Sequence, residues 1–99
     1  MMKRLLSENM LLELQLALSF ISADDRDDWI CIGMAVNDAF GDAGFHYWNE
    51  WSKTSDKYDH TSAVASWRSF KSGDGITIGT LIKLAVENGY ENNLSKLLK

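Results

Sequence analysis

The residues best suited to chemistry lie between Gly44 and Lys71, GFHYWNEWSKTSDKYDHTSAVASWRSFK. This stretch holds Trp48, Trp51, Trp67, Tyr47, Tyr58 and both histidines, with Lys53, Lys57, Arg68 and Lys71 set among them. Aromatic rings interleaved with cations can stack bases and neutralise phosphates. A small domain also spends its large aromatics on a core. Trp29, Trp48 and Trp67 are assigned to the core. The candidates for nucleic acid are Lys53, Lys57, Arg68 and Lys71 on phosphates, read as one basic stripe, with Tyr58 or an exposed edge of Trp51 stacking a base.

Other chemistries find less support. Asp24, Asp25, Asp27 and Asp28 form an acidic cluster. Its spacing lacks the glycine and the closing glutamate of a calcium loop, and helix capping with dipole compensation accounts for it. His46 and His60 match no zinc spacing, and Cys31 sits among apolar residues, where a thiol stays protonated. Lys71-Ser-Gly-Asp-Gly75 is glycine-rich but lacks the P-loop pattern, so it reads as a plain connection. No nucleophile–base pair stands out. The expectation is a non-enzymatic protein with neither metal nor cofactor.

The whole chain sets the frame for these side chains. Its 99 residues, 45% hydrophobic and 24% charged, make one domain of ordinary globular composition. A single cysteine excludes an intrachain disulfide and fits a reducing, cytoplasmic setting. No apolar run approaches the ~20 residues that span a bilayer, and the charged start MMKRLLSENM does not read as a signal peptide. The net charge of −4 is uneven: residues 1–52 carry three basic and nine acidic side chains, residues 53–99 seven basic and five acidic. The first half is thus a poor nucleic-acid surface, and the second is only weakly positive.

Periodicity supplies the elements that must position these groups. Met10, Leu14, Ala17, Leu18 and Ile21 share one helical face, which predicts a helix over about 8–21 with Ser7 as its N-cap. Asp24 or Asp25 caps a second, central helix carrying Trp29, Ile32, Gly33, Val36 and Phe40 inward. Gly33 within it implies a close helix–helix approach. Gly41-Asp-Ala-Gly44 ends that helix, and a third covers about 44–54 with Phe45, Trp48 and Ser52 on one face. Thr61 or Asp59 caps a fourth that runs to Phe70, with Val64, Trp67 and Phe70 inward. Ile78, Leu81, Ile82, Ala85 and Val86 define a fifth, with Gly89 just past its end; Leu94, Leu97 and Leu98 suggest a short sixth. The reading is an all-α bundle of five to six short helices, without internal repeat or linker.

Three segments in this order, ADDRDDWICIGMAV, EWSKTSDKYD and SWRSFKSGDGITIGTLIKLA, resemble the second type of primase C-terminal domain over about Leu14 to Tyr90. That family is a helical module following archaeo-eukaryotic-type primase domains in phage and plasmid replication proteins, often ahead of a helicase. The resemblance implies an accessory role in priming DNA replication for a phage or other mobile genetic element. The domain would bind single-stranded template DNA, weakly by itself, and/or a primase, polymerase or helicase partner, holding the template or the initiating nucleotide near a polymerase site. With no primase or helicase domain attached, the expectation is either an excised domain or a free-standing protein acting in trans, the Met-Met-Lys start favouring the second. The competing class is a pure protein–protein adaptor: an acidic first half and leucine-rich ends suit helix-in-groove docking. A phage-type inhibitor that mimics DNA through its acidity is a more distant option.

Overall fold

Two aspartates begin the helices that carry the site. Asp25, in extended backbone, accepts a hydrogen bond from the Asp28 N–H at 3.0 Å, and Asp59 accepts one from the Ser62 N–H at 2.8 Å. Each satisfies one orphan donor of a first helical turn. The computed structural model describes residues 8–71 and 75–91. Within them run α1 (Glu8–Leu18), α2 (Arg26–Phe40), a 3-10 turn (Gly41–Gly44), α3 (Phe45–Ser52), α4 (His60–Ser69) and α5 (Ile78–Glu87). The all-α class is what these residues show, with no strand among them. Ser7, the glycine-rich loop centre and the expected sixth helix lie outside the described residues.

The number of separate helices differs from the expected five to six. Helix continues without a loop from Arg26 to Ser52, because the 3-10 turn hands α2 directly to α3. The described residues therefore make four continuous helical stretches. Gly41, at φ 62, takes the left-handed backbone that lets the chain change direction there. α1 stops at Leu18, but single turns through Phe20 and Ile21 keep Ile21 buried as its period predicts.

The core centres on Trp48, which has no exposed surface. Its ring lies 4.7 Å from that of Trp29 and 5.5 Å from those of Trp67 and Phe70. Fully burying an indole of this size contributes roughly 4–6 kcal/mol. The indole N–H groups are also satisfied. Trp29 donates to Ser52 Oγ at 2.7 Å, Ser52 donates to the Trp48 carbonyl at 2.7 Å, and Trp48 donates to the Trp29 carbonyl at 3.1 Å. These bonds close a loop that clamps α2 against α3.

Gly33 shows why the clamp fits. A Cβ on it would sit 2.5 Å from Phe70 Cε2 and 2.8 Å from Trp48 Cε2, so only glycine lets both rings reach α2. This is the close approach that a glycine within the helix implied. α5 packs chiefly on α2 through Leu81 and Ala85 and also meets α1. It starts with a capping box between Thr77 and Thr80. It ends with Gly89 N–H donating to the Val86 carbonyl and Tyr90 N–H to the Ala85 carbonyl, both at 3.0 Å. The Tyr90 hydroxyl then donates to the Glu13 carboxylate, tying this end to α1. Burial, then that bond, pushes the Tyr90 phenol up to about 12. One expected core position is corrected: Val86 faces solvent, because α5 turns Leu81 and Ala85, not Val86, onto α2.

Three stability outcomes follow from this packing. Gly33→Ala should destabilise the domain by about 1–3 kcal/mol in a denaturant melt, although alanine favours helix, because two buried rings must move. Trp67→Ala should cost about 3–5 kcal/mol, a large share of a typical ~5–15 kcal/mol stability; unchanged melting would place Trp67 on a surface. For Tyr90, the folded state holds its proton to higher pH than the unfolded state. Stability should therefore fall as pH rises from about 10 toward 12, and a Tyr90→Phe chain should lose that decline.

Candidate nucleic-acid interface

The start of α2, the loop after α3 and the start of α4 enclose a cleft of about 280 Å³. Its floor is Trp29 and Ser52, two members of the α2–α3 clamp. Arg26, Lys57 and Tyr58 stand around it, and Ser62 brings the first turn of α4 to its wall. Arg26 lies with its guanidinium carbon 5.7 Å from the centre of the Trp29 ring, within cation–π range. Lys57 Nζ donates to the Asp24 backbone carbonyl at 3.2 Å, which holds it at the rim without a carboxylate in that bond. Tyr58 is half-buried. Its hydroxyl donates to Asn49 Oδ1 at 2.8 Å and lies 3.0 Å from His60 Nδ1. These bonds set the angle of the ring at the cleft edge.

The cleft also contains acid. Asp24 and Asp59 line it, but the Asp59 carboxylate is engaged as the α4 cap. The backbone N–H of Ser62 holds the Asp59 carboxyl below its ordinary value. At the α2 end, burial, then the charges of Asp25 and Asp27, raises Asp28. The arrangement offers two cations, several hydroxyls, a helix N-terminus and an aromatic edge in one concavity. Anions and flat rings are what such a surface can hold.

The residues expected to bind nucleic acid separate into groups. Lys57 and Tyr58 meet at this cleft. Arg68 lies at a second one of about 270 Å³, bounded by Asp42, Phe45, Val64 and Trp67. Lys71 follows the end of α4 and is exposed. Arg68 sits eight residues after His60, about 12 Å along α4, so Lys57 and Arg68 stand at separate clefts. Lys53 is exposed and paired with Glu50 at 3.0 Å, and that hydrogen bond raises its pKa.

Trp51 requires a correction. It is 6% exposed and its indole N–H donates to the Ile21 carbonyl at 2.9 Å, so it is core and offers no edge for a base. Arg26 is the site residue that sequence reasoning missed. Its one signal was being the only cation within the Asp24–Asp28 cluster, three residues before Trp29 and so on the same helical side.

The acidic cluster contributes a cap, through Asp25, and no ligand set: among the described residues, no group of three or more His, Cys, Asp or Glu side chains is disposed to hold a metal ion. Cys31 is half-buried, and burial, then the charge of Asp28, pushes its thiol up. No helix among the described residues is long and apolar enough to cross a membrane.

No curated protein and no solved structure matches the chain significantly. The family model of Primase C terminal 2 (PriCT-2) does match, over residues 14–85. That span runs from the buried face of α1 to the part of α5 that packs on α2, and it includes the aromatic clamp and both clefts. A primase-associated role in DNA replication goes with it, and the chain belongs to the Primase C terminal 2 family.

Proposed function

We propose that this domain is a non-catalytic accessory factor in replication priming that holds single-stranded template DNA beside a primase, polymerase or helicase of a phage or other mobile element. The observation that carries this reading is the meeting of Arg26, Lys57 and Tyr58 at one cleft beside the start of α4. Arg26 and Lys57 take phosphate, and Tyr58 stacks a base for about 1–3 kcal/mol. From there α4 leads toward Arg68 and Lys71. With stacked nucleotides about 3.4 Å apart, the ~12 Å from the start of α4 to Arg68 accommodates three or four of them.

Two features make the binding weak in isolation. Asp24 and Asp59 offset part of the positive charge, and Lys53 already has a carboxylate partner. A chain with a net charge of −4 also repels a polyanion at long range. A partner that supplies further contacts to the same strand raises the effective concentration of template at this cleft.

The reading is tested with a fluorescently labelled oligothymidylate, about 12 nucleotides long and so within the usual site range, by anisotropy at two salt concentrations. Affinity should fall with salt at a log–log slope near −0.7 per phosphate contacted. Lys57→Ala should make that slope shallower by about one contact. Tyr58→Ala should lower affinity with little change in slope, because stacking releases no counterions. Lys53→Ala should change little. Binding that ignores salt, or that survives Lys57→Glu intact alone and with a primase partner, would contradict template holding.

A further inference from the structure

The second cleft lies between the turn that joins α2 to α3 and the outer face of α4. Val64, Trp67 and Arg68 are three and four residues apart and share one side of α4. Opposite them stand Phe45, which opens α3, and Asp42 in the 3-10 turn. The rings of Phe45 and Trp67 meet edge to face at 5.4 Å, so these apolar walls are already packed against each other. Phe45 and Val64 are half-buried, which leaves part of each open to the cleft. Its volume of about 270 Å³ is close to the 280 Å³ of the first cleft.

Two opposite charges line this apolar space without meeting. Among the described residues the ion pair is Lys53 with Glu50, and none joins Asp42 to Arg68. Asp42 Oδ1 accepts the Trp67 indole N–H at 3.2 Å, and no other side-chain hydrogen bond engages that carboxylate. The core therefore fixes one oxygen and leaves the other to accept. The Arg68 side chain is exposed and left to donate. A guanidinium alone would suit any phosphate. The carboxylate beside it penalises a polyanion unless the ligand also brings a donor. A nucleotide whose base carries an exocyclic amino group brings both, amino hydrogens for Asp42 and phosphate for Arg68, and its flat ring suits the walls. Thymine and uracil present a carbonyl oxygen instead, which would face the carboxylate. An apolar side chain of a protein partner would fill the walls and leave both charges unmet.

We propose that the second cleft is a nucleotide subsite that selects bases with an exocyclic amino group, Asp42 accepting from that group and Arg68 taking the phosphate. The proposal rests on the reading of this domain as a holder of single-stranded DNA. Lys57 and Tyr58 grip the strand whatever its bases, and Asp42 discriminates among them. Ser62, at the first cleft, and Val64, at the second, are two residues apart and so on nearly opposite sides of α4. A strand that reaches both clefts passes across this helix.

The experiment uses the full 99-residue chain and two labelled oligonucleotides of about 12 residues, one of deoxycytidine and one of deoxyuridine, read by anisotropy with the chain alone and with a primase partner. The two bases share a shape and differ by an amino group against a carbonyl, with the N3 proton that accompanies the carbonyl. The deoxycytidine strand should bind at least about fivefold more tightly, the scale of one hydrogen bond. Asp42→Asn keeps an oxygen for the Trp67 N–H and offers the cleft an amide donor. That variant should melt at an unchanged temperature and reverse the preference toward deoxyuridine. Arg68→Gln should weaken both strands alike and make the salt dependence shallower by about one contact. If Asp42→Asn melts early, the unaltered chain still decides: a strand of N4,N4-dimethyldeoxycytidine, which has no amino hydrogen, should lose the advantage of deoxycytidine. Equal affinity for the two strands, with Lys57→Ala weakening each, would remove the subsite and leave template holding intact. A preference untouched by Asp42→Asn would place the selection elsewhere. A gain in affinity for both strands alike in that variant would reduce Asp42 to a repulsive charge. Absence of binding by either strand, alone and with the partner, would remove template holding as well.

Discussion

The structure depends on a single close approach, Trp48 against Gly33. A methyl group at position 33 would collide with that indole and with Phe70. Because the space is open, α3 lies near enough to α2 for Trp29, Ser52 and Trp48 to join in a closed set of hydrogen bonds. Phe45 and Trp67 pack around the same ring system, which brings α4 into the cluster. Trp67 is anchored in turn by its N–H bond to Asp42 Oδ1 at 3.2 Å, in the turn between α2 and α3. The apolar contacts give the cluster its stability, and the N–H bonds fix which way each indole points.

That geometry also makes the cleft. Trp29 and Ser52 are held rigidly by the clamp, and they are the surface over which Arg26 lies and beside which Tyr58 stands. A ligand at this position would meet a floor that is already ordered, so little side-chain entropy remains to be lost there. The cleft mixes cations and hydroxyls with one aromatic edge.

Much of this was legible in the residues, because the signals concerned are local. A capping aspartate acts three residues ahead of itself, so Asp25 and Asp59 could be proposed from spacing alone, each with one neighbouring alternative. The helical periods of α1, α2 and α5 were readable for the same reason, and Gly33 announced a close approach without naming the ring that fills it. What stayed hidden was nonlocal. Trp51 was read as offering an exposed edge and is instead buried, its N–H donating to the Ile21 carbonyl thirty residues away. Val86 fits the inward period of α5, but the side of α5 turned toward α2 is narrower than that period. Gly41–Gly44 reads as a break and is instead a 3-10 turn within continuous helix. Arg26 was obscured by the aspartates around it, and its position over Trp29 needs the folded helix to be seen.

The central claim is that the cleft between the starts of α2 and α4 is where single-stranded DNA is held. Amide chemical-shift mapping tests it most directly, with an isotope-labelled chain titrated with a short oligothymidylate. The account predicts that shifts concentrate on Ala23, Arg26, Lys57, Tyr58 and Ser62, weaken along α4 toward Arg68, and leave Leu12 and Leu16 unmoved. Shifts confined to α1, or spread evenly with none at the cleft, would contradict it.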